Sequence, residues 1–281
     1  MRIALISDIH SNILALEAIL RDIHKRGADC ILSLGDQVNL GPYPRETLEL
    51  LQSEGVRCLH GNHERYILSA MRGDPEYDGA NFRSLHFNAE KLRPEEITFP
   101  QTLQMEGVTF CHAMPGDDRF PVNEPSLALP RLRDMLGTVP AHVICGHGHN
   151  PISYRLPGFA LDGIGSAGCM DDGLPGMTLY TLADVSKGAV CLRPVYVAWD
   201  TSPIKALFKS GGMADYCPVM AHIACLQMQH NHDYLVEFVT CARALSKARG
   251  ETQMSMNTLW DADGLFAWPD GVATAQFWKS I

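Results

Sequence analysis

The sequence predicts an α/β (α+β) protein in which two packed sheets carry helices on their outer faces, followed by a mostly helical extension. Three observations carry that expectation. The first hundred residues alternate compact apolar runs with helical periods, the stretch from Val108 to Asp200 is a succession of strand-like runs, and after Asp200 the apolar spacing turns helical.

Taken in order, "RIALIS" is the short apolar run of a fully buried strand. "SNILALEAILRDIHKRG" then places Ile13, Leu16, Leu20 and Ile23 on one helical stripe, with Ser11 or Asn12 as cap and Gly27 as stop. "CILSL" reads as strand, "PRETLELLQSEG" as helix and "VRCLH" as strand, so repeated βαβ units predict parallel pairing. Residues 69 to 104 are less regular: "RGDPEYDGANF" reads as a loop and "LHFNAEKL" as a short helix, a stretch placed to wall or cover a site. "VTFCHA", "AHVICGHGH", "GFALDGIGSAG", "GMTLYTL" and "AVCLRPVYVAW" read as strands of a meander. Beyond Asp200, "TSPIKALFKSGGMADYCPVMAHIACLQMQ" and "DYLVEFVTCARALSKARG" read as helices, the latter starting at Asn231 or Asp233 and stopping at Gly250. The tail from Thr258 holds Trp260, Trp268 and Trp278. We therefore expect one domain over residues 1–200 and an extension over 201–281.

Composition narrows the function. A chain of 281 residues can bury a substantial core. A formal net charge of -9 argues against a sequence-independent grip on a nucleic acid polymer, which rests on Lys and Arg neutralising phosphates. Any phosphate-bearing substrate must be held by something local. The start, "MRIALISDIHSN", is too short and too polar for a signal peptide or a membrane span, so a cytoplasmic protein without a membrane partner is expected. Cys30, Cys58, Cys111 and Cys145 lie in or beside apolar runs and form no CxxC pair, which reads as buried free thiols in a reducing compartment.

Just past the carboxyl ends of the expected strands stand Asp8 and His10, Asp36, Asn62 and His63, His112, and His147 and His149. Those ends are where open α/β sheets bind ligands. In "SDIH" and "GHGH" the two groups are at i and i+2, so on an extended segment they point the same way and can chelate one ion. In "GDQVNLG" and "GNHE" a glycine precedes the ligand and lets the backbone turn tightly. Asp, Asn and His without cysteine suit manganese, iron, zinc, nickel or cobalt rather than a Cys-based structural zinc. So many ligands exceed the need of one tetrahedral ion and imply two divalent transition metal ions, about 3.5–4 Å apart, with manganese favoured.

The order DxH, GDxxxxGP, GNHE, H, GHxH resembles the calcineurin-like metallophosphoesterase superfamily over roughly residues 1 to 200. The resemblance implies a four-layer α-β-β-α sandwich with the metals at the sheet edge. It implies that Asp8, His10 and His149 hold one ion, that Asn62, His112 and His147 hold the other, and that Asp36 bridges them. His63 would stand beside the phosphoryl group as proton donor to the leaving oxygen or hydrogen-bond donor to the transition state. The implied activity is hydrolysis of a phosphodiester or phosphomonoester by in-line attack of a metal-bridging hydroxide, on a small phosphorylated substrate such as a nucleotide. A dinucleoside polyphosphate hydrolase and a non-catalytic binding module on the same fold are the alternatives.

Departures refine the resemblance. Protein Ser/Thr phosphatases of the superfamily carry GDxVDRG, whereas Asn39 and Leu40 stand in those places here. "GDQVNLGPYP" with "GNHERYIL" looks instead like the small prokaryotic phosphodiesterase branch, although Gly163 and Ile164 replace the Asn and Pro of an NPGS segment often found there. Arg45 and Arg65 lie close enough in sequence to the motif loops to contact a phosphate. "HNH" at residues 230–232 reads as surface or cap residues, and His142 as a strand-edge residue. The tryptophans can stack a base, but read more simply as a hydrophobic unit docking on the catalytic domain or on a second subunit of a homo-oligomer.

Overall fold

A computed structural model describes residues 1–280. In chain order its first half contains β1 (Arg2–Ile6), α1 (Ile13–Arg26), β2 (Cys30–Ser33), α2 (Pro44–Ser53), β3 (Arg57–Cys58), α3 (Asn62–Met71), α4 (Arg83–Lys91), β4 (Thr102–Met105), β5 (Val108–Cys111) and α5 (Pro125–Met135). Then follow β6 (His142–Cys145), β7 (Pro151–Leu156), β8 (Phe159–Ile164), β9 (Met177–Ser186) and β10 (Ala189–Ala198). The strands form two mixed sheets, ordered β10-β9-β1-β2-β3 and β4-β5-β6-β8-β7.

The layers follow from the period-2 alternation of the strands. In β1, Ile3 and Leu5 join Phe110, Ile144 and Ile164 in the core shared by the two sheets, while Ala4 and Ile6 join Leu16, Ile19 and Ile23 of α1 on the outer face. On the far side, Ala128 and Leu132 of α5 cover Val143, Cys145 and Leu161. The result is the α-β-β-α stack that the sequence resemblance implied. Asn12 caps α1 by accepting from the Ala15 N–H at 3.2 Å, as its position before the apolar stripe predicts.

The second half departs from a meander. β5, β6 and β8 are mutually parallel, and β9 leaves their sheet to pair antiparallel with β1 in the other. The reason is that α5 and the loop after β6 act as crossovers, which the tight-turn reading overlooked. β4, β7, α3 and α5 were not expected from the pattern. β4 and β7 are half-exposed edge strands with weak apolar signals, and α5 is interrupted by Pro130.

After Asp200 the chain is helical: α6 (Ile204–Ser210), α7 (Met213–Tyr216), α8 (Pro218–His230), α9 (Tyr234–Ala248), α10 (Met256–Leu265) and α11 (Thr274–Phe277). α8 is buried on nearly all sides, and its core takes in Ala15 and Ala18 of α1 together with Leu40. Trp268 and Trp278 are packed inside this core, whereas Trp260 is 37% exposed. Asn231 ends α8 in a left-handed conformation (φ 52), and its amide donates to the carbonyls of Leu174 and Met177 at 2.7 Å each. This stretch therefore caps and anchors. All nine cysteines are free thiols, and among the described residues no helix is long and apolar enough to cross a membrane.

Candidate metal centre

Five loops leave the carboxyl ends of β1, β2, β3, β5 and β6 at one edge of the two sheets and deliver the acids and histidines. The DxH and GHxH segments are not extended, contrary to the sequence expectation. Asp8, His10, His147 and His149 all take positive φ (53, 53, 62 and 52), because the strands end at Ile6 and Cys145 before the ligands begin. Left-handed residues in succession fold each loop back over the sheet edge, at a backbone cost that is offset elsewhere. At Gly61 only hydrogen fits: a Cβ there would lie 2.1 Å from Oδ1 of Asp36.

The side chains meet in two overlapping groups. In the first, Nε2 of His10 lies 3.2 Å from Nε2 of His149, which is 3.5 Å from Oδ1 of Asp8. In the second, Nε2 of His112 lies 2.8 Å from Oδ1 of Asn62 and 3.2 Å from Oδ2 of Asp36, with His147 beside them. His147 and His149 thus turn to different groups, so the GHxH pair does not chelate a single point. Asp36 belongs with His112 and His147 on one side and with His10 and His63 on the other.

These residues fit divalent ions. Asp8 and Asp36 are buried; burial alone would raise both, but the surrounding imidazoles outweigh it and hold both ionised. The counter-charge falls on imidazole: burial opposes protonation of His112, yet Asp36 raises it to about 9. His10, with burial the dominant cause, is lowered to about 3 and offers a neutral nitrogen. Oδ1 of Asp8 and Nδ1 of His10 are buried without a hydrogen-bond partner. Two buried carboxylates, imidazole nitrogens converging on one another and an orphaned carboxylate oxygen are the donor set that a cation completes.

A second sphere fixes the ligands. Nδ1 of His112 faces the Leu34 carbonyl at 3.0 Å, and Nδ1 of His149 faces Asp171 at 2.9 Å, so each Nε2 is directed into the site. Glu64 is fully buried and accepts from the backbone N–H of Gly61, Asp36 and Gln37 at 2.8, 3.0 and 2.9 Å. It ties the two glycine loops together. Asp171 and the clamping role of Glu64 were missed in the sequence; Glu64 had a readable signal, a Glu three residues after the helix-opening Gly61.

The family model described as calcineurin-like phosphoesterase matches residues 1–169. The chain belongs to this family. An uncharacterized protein of Methanocaldococcus jannaschii is 47% identical over 121 residues, which cover 40% of this chain and 49% of that relative, so the match spans about half the relative's length. Among solved structures, a metallophosphoesterase from Sphaerobacter thermophilus superposes with a TM-score of 0.57 at 22% identity, covering 75% of this chain and 95% of its own. A hypothetical protein from Pyrococcus horikoshii gives 0.62 at 18% identity, covering 82% and 98%. At those identities the two structures speak for the fold.

In this calcineurin-like phosphoesterase, His63 opens α3, its N–H donates to Oδ1 of Asp36 at 2.8 Å, and Nδ2 of Asn39 lies 2.6 Å from its Nδ1. Neither arginine named in the sequence is left free at the centre. Arg65 forms a two-pronged ion pair with Asp118 (2.7 and 3.0 Å), and Arg45 pairs with Glu96 and the Lys91 carbonyl on a cavity lined by none of the candidate ligands. Cysteine was left out of the expected donor set, yet Cys169 lies in one group with His10 and His149, their ligand atoms within 4.8 Å of one another. His142 pairs with Asp162 at 2.8 Å at the start of β6, away from the donors.

Proposed function

We propose that this protein is a binuclear metal-dependent phosphoesterase that hydrolyses a small phosphodiester or phosphomonoester. The observation that carries the reading is the position of Asp36, which lies with His112 and His147 on one side and with His10 on the other. Asp8, His10 and His149 would hold one ion, Asn62, His112 and His147 the other, and Asp36 would bridge them. Divalent ions there, manganese foremost, supply an activated water at neutral pH and neutralise the phosphoryl charge. The local cationic centre lets a protein of net charge -9 bind an anionic substrate.

The chain's own groups do the rest. Asp36 and Asp8 set the site's net charge and hold the ligand loops in register. His63, beside Asp36 (3.9 Å from Nε2 to Oδ2), presents Nε2 to the phosphoryl group and serves the leaving oxygen. Asn39 holds the opposite nitrogen and so fixes the ring. Free thiols throughout agree with a reducing, cytoplasmic setting. The test is hydrolysis of bis-p-nitrophenyl phosphate and p-nitrophenyl phosphate by metal-stripped and manganese-reloaded protein. Turnover that needs the metal supports the proposal; turnover unchanged by stripping contradicts it.

A further inference from the structure

Beside His63 lies a cavity of about 250 Å³ whose walls come from parts of the chain far apart in sequence. Asn39 and Leu40 form the end nearest the metal loops, Tyr66 and Phe82 stand on one side, and α9 forms the other. Phe238, Ala242 and Ser246 are buried in the helical core, Leu235 and Val239 are half-buried against that core and also line the cavity, and the exposed Val236, Thr240 and Arg243 complete the wall. Val236 remains 62% exposed, an apolar side chain at the open edge of this wall.

The lining has a consistent chemistry. Tyr66 lies 5.5 Å from His63, and the buried Tyr77 packs behind both Tyr66 (5.4 Å) and Phe82 (5.2 Å), so the aromatic side of the cavity is Tyr66 and Phe82 backed by a third ring. Branched aliphatic side chains of α9 face it. Two flat or apolar surfaces opposed across a narrow cavity suit a planar ring more than a polyol or an inorganic anion. Polar groups sit where ring edges would end. Oδ1 of Asn39, a residue 2% exposed, is buried without a partner and borders the cavity, and Arg243 at the rim has no ion-pair partner among the described residues.

We infer that this cavity is the subsite for the organic group of the substrate and that it takes a nucleobase-sized aromatic ring system, making nucleoside phosphates the substrate class. The inference rests on the phosphoesterase reading for the reaction, with the phosphate at the metal loops and the esterified group beside His63. It gives the C-terminal helices a share in specificity, because α9 supplies a full wall. The sequence reading expects residues 69 to 104 to wall or cover a site; Phe82 and Leu85 lie on one side of this cavity, and α9 forms the other.

The test uses the manganese-loaded full chain and two phosphate esters that differ in the organic group, adenosine 5′-monophosphate and glycerol 3-phosphate, with affinities measured by calorimetry. The fill variant is Thr240→Trp, an exposed position on α9 outside the metal centre. The parent is expected to bind the nucleotide at least about tenfold more tightly, and Thr240→Trp to abolish that preference while leaving glycerol 3-phosphate within about twofold. Equal affinity in the parent, or a nucleotide affinity untouched by Thr240→Trp, would overturn the assignment. Metal-dependent cleavage of bis-p-nitrophenyl phosphate in the same samples separates the two readings: its loss with nucleotide preference intact sinks the reaction alone, and its presence without preference sinks the subsite alone.

Discussion

Nδ2 of Asn39 lies 2.6 Å from Nδ1 of His63, so an uncharged amide holds the histidine that we propose serves the phosphoryl group. Protein Ser/Thr phosphatases of the same superfamily carry GDxVDRG, with an aspartate where Asn39 stands in GDQVNLG. Asn39 is 2% exposed and its backbone N–H donates to Oδ1 of Asn88 at 3.1 Å, so the amide is itself anchored.

Asn39→Ala frees the ring without touching a metal ligand. We expect kcat to fall about tenfold with metal content unchanged, and His63→Ala to lower it by roughly 10²-fold or more, the scale of general acid–base catalysis. Steady-state kinetics beside elemental analysis checks both. A His63→Ala enzyme turning over at the parent rate would remove the assigned role.

Oδ1 of Asp171 accepts from Nδ1–H of His149 at 2.9 Å and orients that imidazole from outside the site. Asp171→Asn should weaken metal binding about 10- to 100-fold, as loss of such outer partners does. Titration of metal-stripped protein with manganese reads this directly, and an unchanged affinity would show that His149 needs no orienting partner.

Glu64→Ala would leave the N–H groups of Gly61, Asp36 and Gln37 buried and unpaired. At about 1–3 kcal/mol for each such group, a loss of roughly 3 kcal/mol or more is expected in denaturant unfolding of the metal-free protein. A loss below about 1 kcal/mol would mean that the two loops hold together without this carboxylate.

His222 sits between Trp268 and Phe277, with ring centroids 4.1 and 3.9 Å away, and burial lowers it to about 4. The unfolded imidazole titrates near its ordinary value of about 6.5, so between those values the unfolded chain binds the extra proton. Stability is therefore full above about pH 6.5 and falls as pH drops toward 4, by at most about 1.4 kcal/mol per unit from this group. Urea unfolding of the parent and of His222→Phe between pH 7.5 and 4.5 should show a shallower pH dependence in the variant. Identical slopes would assign the effect elsewhere.

The clustering of the candidate donors was legible because each stands past a strand end inside a short motif, and those strand ends share one edge of the two sheets. Asp36 and His112 are 76 positions apart in sequence but adjacent in space for that reason alone. What the pattern could not convey was conformation and long-range pairing. The left-handed backbone at Asp8 and His149 is set by loop closure, not by residue type, and Arg65 looked free because its partner Asp118 lies in a distant loop. The contribution of α9 to the cavity beside His63 was hidden for a related reason. An apolar stripe on a helix reads as packing until the structure shows part of it lining a cavity.

The central claim is that Asp36 joins two metal ions at the sheet edge. The measurement is metal content per chain by elemental analysis, paired with manganese-dependent cleavage of bis-p-nitrophenyl phosphate, for the parent and Asp36→Ala. The account predicts about two ions in the parent, clearly fewer in the variant, and loss of metal-dependent cleavage with them. A variant that keeps both ions and the parent rate would contradict it.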